Sequence, residues 1–172
     1  MGWSDYLREI PDFPRPGVLF RDVLPLLGAP KAFAEALHEL QALVEPFSPE
    51  VIMAPEARGF LLAAPLADRL KAGVIPVRKP GKLPDPVLRE SYTLEYGENQ
   101  LEVEATQELK GRRVLIVDDV LATGGTVGAC ARLAARLGAE VAAYAFLIEL
   151  KALQGRERLD SPHAPVLSLL TL

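Results

Sequence analysis

The 172-residue sequence contains one cysteine and no stretch that approaches the roughly 18 consecutive apolar residues of a membrane-spanning helix. A single cysteine, Cys130, excludes a disulfide framework and a cysteine-rich zinc site. The first residues lack the basic segment followed by an apolar segment that is typical of secretory signals. We therefore expect a cytoplasmic protein with no membrane partner.

Basic residues are also in the minority, since 19 Lys and Arg stand against 23 Asp and Glu, for a formal net charge of −4. Binding to the nucleic-acid backbone requires a positive surface, so we expect no nucleic-acid partner. Hydrophobic residues make up 49% of the chain and charged residues 24%, which excludes intrinsic disorder. No repeat, low-complexity tract or linker divides the sequence, so we predict a single domain over residues 1–172.

Hydrophobic periodicity predicts strands that alternate with helices. Between Pro30 and Val44, apolar residues recur at spacings of three and four, which predicts an amphipathic helix. Four short apolar runs rich in β-branched residues are typical of strands buried on both faces; they cover residues 51–54, 74–77, 114–117 and 141–148. Helical stretches at 59–70 and 126–137 lie between them. This order predicts an α/β fold with a mainly parallel sheet, in which ligands bind at the carboxyl ends of the strands.

The segment 114–126 passes from a predicted strand through two adjacent acids and a loop of small residues into a helix. Glycines allow main-chain N–H groups to close around an anion, and a helix N-terminus adds donors, so this loop can hold a monophosphate. Asp118 and Asp119 would repel that phosphate but suit the hydroxyls of an adjoining sugar. The alternative is an ordinary turn in which Asp118 or Thr123 caps the helix. The segment predicts a ribose 5-phosphate site formed by Asp118, Asp119, Ala122, Thr123, Gly124, Gly125 and Thr126.

This segment resembles the phosphoribosyl pyrophosphate (PRPP) motif of type I phosphoribosyltransferases. The remaining chain resembles the adenine phosphoribosyltransferase branch of that family, and the matching blocks are residues 12–22, 55–60, 76–84, 91–97 and 149–157. The resemblance implies a type I phosphoribosyltransferase fold, with a central, mainly parallel sheet flanked by helices. It also implies an N-terminal hood, made of about residues 1–30 and a C-terminal part, and a homodimer.

The reaction that this resemblance implies is transfer of the 5-phosphoribosyl group from PRPP to N9 of adenine, which yields AMP and pyrophosphate in purine salvage. The small-molecule partners would be adenine and PRPP. Mg²⁺ would be required and would be carried by pyrophosphate and ribose oxygens, so no residue of the chain is expected to form a metal cage.

Two groups of cations are candidates for pyrophosphate binding. Arg58 lies at a predicted helix start, where its guanidinium could meet a phosphate or could form a surface ion pair with Glu56 or Asp68. Three more cations lie on a Pro/Gly-broken loop at 78–82, which is either a solvated face or a lid that neutralises the departing pyrophosphate. The resemblance favours a flexible lid over about 79–96. It implies pyrophosphate contacts from Arg58, Arg78, Lys79 and Lys82.

By pattern alone, Glu95 lies in a strand-like segment and could simply face solvent. The resemblance implies that Glu95 stabilises the positive charge that develops on the ribose ring, with the Tyr96 hydroxyl nearby. The base site it implies has adenine between Phe20 and Leu150, which could otherwise be core residues. Main-chain groups around two further residues, Leu19 and Arg21, would select adenine.

Two other functions stay open. A related enzyme for xanthine or another 6-oxopurine would keep the fold and the chemistry, but its base presents an acceptor where adenine presents a donor. A noncatalytic PRPP-binding regulator of transcription would need a DNA-binding extension or a basic face. The length of 172 residues and the net charge of −4 favour neither feature.

Overall fold

The computed structural model of the chain describes residues 1–94, 97–159, 161 and 163–172. The chain is divided into two compact units, Met1–Glu39 and Leu40–Leu172. None of the helices within the described residues is long and apolar enough to cross a membrane.

The N-terminal unit contains a two-stranded antiparallel sheet and a short helix. Its elements are β1 (Arg8–Pro11), β2 (Leu19–Asp22), α1 (Leu24–Leu27) and the first part of α2 (Pro30–Val44), which continues into the second unit. Arg8 lies opposite Asp22 in the sheet register, and its NH2 group is 2.5 Å from the Asp22 Oδ2. The other carboxylate oxygen of Asp22 accepts the Leu24 N–H at 2.9 Å, which supports the start of α1. The predicted helix from Pro30 to Val44 is confirmed.

The C-terminal unit is built on a five-stranded parallel sheet. In chain order its elements are β3 (Val51–Pro55), α3 (Arg58–Leu70), β4 (Gly73–Val77), β5 (Val87–Leu94), β6 (Gly97–Glu104), β7 (Arg113–Leu121), α4 (Gly125–Arg136), β8 (Glu140–Glu149) and β9 (Val166–Thr171). The strand order is β4-β3-β7-β8-β9, and each neighbouring pair is parallel. β5 and β6 form a separate antiparallel hairpin. Helix α3 packs on β3, β4 and β7, and α4 packs on β3, β7, β8 and the hairpin.

Four of the five sheet strands coincide with the predicted apolar runs, and the predicted helices correspond to α3 and α4. β3 is buried along its whole length, as expected for a central strand. The expectation that the run at 74–77 is buried on both faces is wrong, because burial alternates along β4, an edge strand of the sheet, and only one of its faces is covered. Ile75 and Val77 are buried there, but Val74 is 41% exposed. The other edge strand, β9, is not among the strands that periodicity predicts.

The core of the second unit combines side chains from the sheet with side chains from α4. Met53, Ile116 and Phe146 from three neighbouring strands are fully buried in it. Cys130 of α4 is fully buried in the same core. Burial raises the pKa of the Cys130 thiol, and the nearby charge of Asp118 adds to the rise, so this cysteine is a protonated core residue.

Candidate active site

Three polar segments follow three adjacent strands at the carboxyl-terminal end of the sheet. Residues 56–58 follow β3, residues 78–82 follow β4, and residues 118–126 end β7 and lead into α4. Because β3 is parallel to both β4 and β7, the carboxyl ends of all three strands lie at the same end of the sheet. The sheet therefore brings together the segments in which the sequence analysis expects pyrophosphate, ribose and phosphate contacts.

The phosphate loop (residues 122–126) curves around a small cavity of ≈ 60 Å³ that is lined by Asp118 and residues 120–127. Gly124 is the N-cap of α4 and has a φ of +85°, a conformation that favours glycine. No side chain caps this helix, so the alternative in which Asp118 or Thr123 is its cap is wrong. The loop leaves the helix N-terminus facing the cavity, as a phosphate cradle requires.

The two adjacent acids at the end of β7 have different surroundings. Asp119 is 2% exposed, and its carboxylate accepts the Arg58 Nε–H at 2.5 Å and the Val120 N–H at 2.9 Å. Asp118 accepts the Asp119 N–H at 2.9 Å and lies beside Gly59, where a Cβ would come 3.2 Å from its Oδ1. Burial raises the pKa of Asp118 well above its usual range, and the charge of Asp119 adds to the rise.

Arg58 therefore links the end of β3 to the end of β7. Its guanidinium pairs with Asp119, a partner that the sequence analysis does not name, and 46% of the Arg58 side chain remains exposed. The pair places a cation beside the acid expected to meet ribose hydroxyls. A pyrophosphate bound next to the ribose could reach the exposed part of this guanidinium.

The Glu56 carboxylate contacts the side chains of two predicted pyrophosphate-binding residues and the main chain of a third. Its Oε1 accepts the Lys79 N–H at 2.8 Å and the Arg78 Nε–H at 3.3 Å, and its Oε2 lies 3.5 Å from the Lys82 Nζ. The hydrogen bond from the Lys79 N–H lowers the pKa of Glu56; burial opposes this effect, and the charges of Lys82 and Arg78 lower the pKa further. The peptide bond that joins Glu56 to Ala57 is cis.

A second carboxylate holds the same cation loop (residues 78–82) from the side of the hairpin. Glu102 of β6 is 2% exposed and accepts the Gly81 N–H at 2.8 Å and an N–H of Arg89 at 3.2 Å. The main chains of Arg78 and Glu102 also exchange hydrogen bonds of 2.9 and 2.7 Å. The loop is thus held by two acidic side chains, while residues 79–82 remain exposed, so its role as a lid stays a prediction.

Glu56 and Glu102 are the site residues that the sequence analysis missed. Glu56 had a usable signal, because it lies two residues before Arg58 in the same strand-to-helix turn. Glu102 had none, since an acid in an alternating strand is usually solvent-facing.

The β5–β6 hairpin is attached to α4 beside the phosphate loop. Arg132 donates to the Glu90 carboxylate at 3.2 Å and to the Ser91 carbonyl at 3.0 Å. One helical turn later, Arg136 donates to the Glu90 carboxylate at 3.1 Å. A cavity of ≈ 290 Å³ lies between the hairpin and the loop; its lining residues are Ser91, Tyr92, Thr93, Gly124, Gly125, Gly128, Arg132 and Arg158. The predicted catalytic residues, Glu95 and Tyr96, lie outside the residues that the structure describes.

The residues predicted to bind the base are divided between the two units. Leu19, Phe20 and Arg21 lie on β2 of the N-terminal unit, where the Phe20 ring meets the Phe13 ring at a centroid distance of 5.2 Å. Arg21 is paired with Glu9 on the opposite strand. Leu150 follows β8 in the second unit. Their role in a base site stays a prediction.

Among the described residues, no group of three His, Cys, Asp or Glu side chains is arranged to hold a metal ion.

Comparison with known proteins identifies the class first. A family model described as the phosphoribosyl transferase domain matches residues 27–169. The fold is therefore that of a type I phosphoribosyltransferase, as the sequence analysis expects. An adenine phosphoribosyltransferase from Synechococcus sp. strain JA-3-3Ab is 53% identical over 161 residues, 93% of this chain and 91% of that protein.

Solved structures agree with this assignment. The adenine phosphoribosyltransferase of Thermoanaerobacter pseudethanolicus superimposes with a TM-score of 0.94 at 48% identity, over 98% of this chain and 97% of that one. The Saccharomyces cerevisiae enzyme, solved with an imino-altritol bisphosphate and adenine, gives a TM-score of 0.89 at 38% identity, over 95% and 94% of the two chains. The chain belongs to the adenine phosphoribosyltransferase family.

Proposed function

We propose that the protein transfers the 5-phosphoribosyl group of PRPP to N9 of adenine, giving AMP and pyrophosphate for purine salvage. The observation that carries this proposal is the order of charged groups along the carboxyl ends of the neighbouring strands. The cation loop follows β4, Arg58 follows β3, and the acid pair and phosphate loop follow β7. This order suits PRPP, whose pyrophosphate, ribose and 5-phosphate succeed one another.

The phosphate loop would bind the 5-phosphate, and Asp118 and Asp119 would accept hydrogen bonds from the ribose hydroxyls. Burial and the charge of Asp119 raise the pKa of Asp118, which disfavours the charged form of this carboxyl group beside a phosphate. Arg58, with Arg78, Lys79 and Lys82, would bind the pyrophosphate. Closure of a lid over about 79–96 would keep water from the reacting sugar.

In the reaction, the bond from ribose C1 to the pyrophosphate oxygen breaks as the bond from N9 to C1 forms, with inversion at C1. The imidazole proton of adenine is released to the departing pyrophosphate or to solvent. Positive charge develops on the ring, and the Glu95 carboxylate would stabilise it, with Tyr96 nearby. We expect Glu95→Gln to lower kcat far more than it raises KM for PRPP, measured by steady-state kinetics. An unchanged kcat would remove Glu95 from the mechanism.

Mg²⁺ fits this site as an ion brought by the substrates. Asp119 is already occupied by Arg58 and the Val120 N–H, so its carboxylate is poorly placed to act as a metal ligand. Pyrophosphate and ribose oxygens would supply the ligands. When bound, Mg²⁺ neutralises charge on the departing pyrophosphate.

The base-binding roles of Leu19, Phe20, Arg21 and Leu150 rest on the family resemblance, as does the homodimer. A cytoplasmic location is part of the proposal, as the sequence analysis expects. The relatives favour adenine over a 6-oxopurine, since the Synechococcus protein of 53% identity is an adenine phosphoribosyltransferase. They also favour an enzyme over a noncatalytic regulator.

The test is nucleotide formation from PRPP and Mg²⁺ with adenine, hypoxanthine, guanine and xanthine offered separately. We expect kcat/KM for adenine to exceed that for each other base by about a hundredfold or more, because a site built for the N6 donor leaves a polar group unpaired with a 6-oxo base. Turnover of a 6-oxopurine instead would overturn the base assignment. Binding of PRPP without any turnover would favour the regulator.

A further inference from the structure

The chain after β8 turns back toward the phosphate loop through two 3₁₀ turns, Lys151–Leu153 and Gly155–Arg158. Gly155 is buried, and a Cβ at this position would overlap the Ala122 carbonyl oxygen and lie 3.0 Å from the Leu121 side chain. A Cβ on Gly124 would come 2.5 Å from the Gly155 carbonyl oxygen. The two backbones therefore lie in direct contact, which only glycine permits.

This contact determines how the peptide units of the phosphate loop are oriented. The Ala122 carbonyl is directed toward Gly155, and in a trans peptide the following N–H points to the opposite side. The Thr123 N–H is then directed away from Gly155. The start of the loop is tied to the same segment, because the Leu150 N–H donates to the Leu121 carbonyl at 2.9 Å.

An ion pair holds the turn that carries Gly155. Arg156 donates through Nε and NH2 to the two carboxylate oxygens of Glu149, at 2.7 and 2.5 Å, and Ser168 Oγ of β9 contacts the same carboxylate at 3.2 Å. Glu149 is 3% exposed. The hydrogen bonds from Arg156 lower the pKa of Glu149, so the pair stays charged at neutral pH.

An open cavity of ≈ 480 Å³ lies beside the pair; it is lined by Glu149, Lys151, Gln154, Arg156, Glu157 and Thr171. The bidentate pair is a direct side-chain constraint on the turn, in addition to main-chain hydrogen bonds such as the one from the Glu157 N–H to the Gln154 carbonyl.

We propose that Glu149, Arg156 and Gly155 are positioning residues for the 5-phosphate: the ion pair fixes the turn, and Gly155 fixes the phosphate loop through backbone contact. This inference rests on the proposed function. None of the three residues needs to touch substrate, because they act through the backbone of residues 121–124.

The test compares Arg156→Ala, Arg156→Lys and Glu149→Gln with wild type. Arg113→Ala is the matched control, because Arg113 lies at the opposite end of β7 and donates to the Ser48 carbonyl. We measure KM for PRPP, the dissociation constants of AMP, ribose 5-phosphate and pyrophosphate, kcat, and the unfolding midpoint of each variant.

For Arg156→Ala we expect KM for PRPP and the dissociation constants of AMP and ribose 5-phosphate to rise about tenfold, as small displacements of a binding loop commonly do. Pyrophosphate affinity should stay within about twofold of wild type, since pyrophosphate lacks the 5-phosphate. Arg156→Lys and Glu149→Gln should give intermediate values because each keeps one hydrogen bond. Arg113→Ala should leave all the constants unchanged.

An equal loss of pyrophosphate affinity would indicate general loosening of the fold and would overturn the proposal, as would unchanged ribose 5-phosphate binding in Arg156→Ala. Gly155→Ala tests the backbone contact directly. Among the variants, it should weaken the binding of ribose 5-phosphate most. If Gly155→Ala does not fold, the conservative variants Arg156→Lys and Glu149→Gln still test the proposal. Ribose 5-phosphate binding requires no turnover, so a wild type that binds it without making AMP refutes the proposed function alone.

Discussion

The Arg58–Asp119 ion pair supports a prediction that can be worked out from its burial. The perturbation is a double-mutant cycle of Arg58→Ala, Asp119→Asn and the combined variant. Breaking a fully buried pair costs about 3–5 kcal/mol, whereas exposed pairs are worth about 0–1 kcal/mol. The Asp119 side chain is 3% exposed and the Arg58 side chain 46%. We expect a coupling free energy of about 1–2 kcal/mol, which lies between these limits because solvent around Arg58 screens the interaction.

Each single change also has effects that the cycle removes. Arg58 is the first residue of α3, so its loss relieves an unfavourable cation at a helix N-terminus, worth about 0.3–1 kcal/mol. Asp119→Asn keeps an acceptor for the Val120 N–H and should cost less than Arg58→Ala, which leaves a buried carboxylate without its cation. These separate contributions cancel when the two single-variant effects are subtracted from the double-variant effect to obtain the coupling free energy.

The assay is urea unfolding followed by circular dichroism at neutral pH, with the two-state character of each variant checked. A control cycle on Asp68 and Lys71 should give no measurable coupling, because their side chains are 86% and 83% exposed. A coupling free energy below about 0.3 kcal/mol for Arg58 and Asp119 would refute the reasoning, since that is the limit of simple additivity.

Four further predictions concern the cation loop, the metal and the core. Glu56→Gln should raise KM for pyrophosphate in the reverse reaction about threefold to tenfold, because Arg78 and Lys82 lose their shared partner; an unchanged KM would contradict this role. Because folding lowers the pKa of Glu56, its contribution to stability is present above the ordinary pKa of 4.5 and is lost as the pH falls through the folded value, so Glu56→Gln should flatten the unfolding free energy in that range. Removing Mg²⁺ with a chelator should abolish AMP formation and leave Tm unchanged, whereas a lower Tm would reveal a structural metal. Leu115→Ala, at a position that is 0% exposed, should cost about 3 kcal/mol in urea unfolding, and a loss below about 1 kcal/mol would show that the site collapses around the gap.

Features made of consecutive residues could be predicted from the sequence. The strand, acid pair, phosphate loop and helix at 114–126 form one uninterrupted segment, so their order along the chain is also their order in space. The helix Pro30–Val44 and four strands of the parallel sheet follow from local periodicity in the same way. β9 was not predicted because Ser168 and Thr171 interrupt its apolar residues, so the segment shows neither a continuous apolar run nor strict alternation.

Contacts between distant residues depended on the tertiary structure. Arg58 meets Asp119 across 61 positions, and Glu56 meets Lys82 across 26. Gly155 contacts the loop at Ala122 although it belongs to a different segment. These pairings follow from the strand order β4-β3-β7-β8-β9, which sets which strand ends are neighbours. Periodicity shows that a strand is buried but does not show which strand lies beside it. The sequence by itself therefore determined the fold class and the succession of strand, acid pair, loop and helix at 114–126, and only the folded sheet decided which charges are paired.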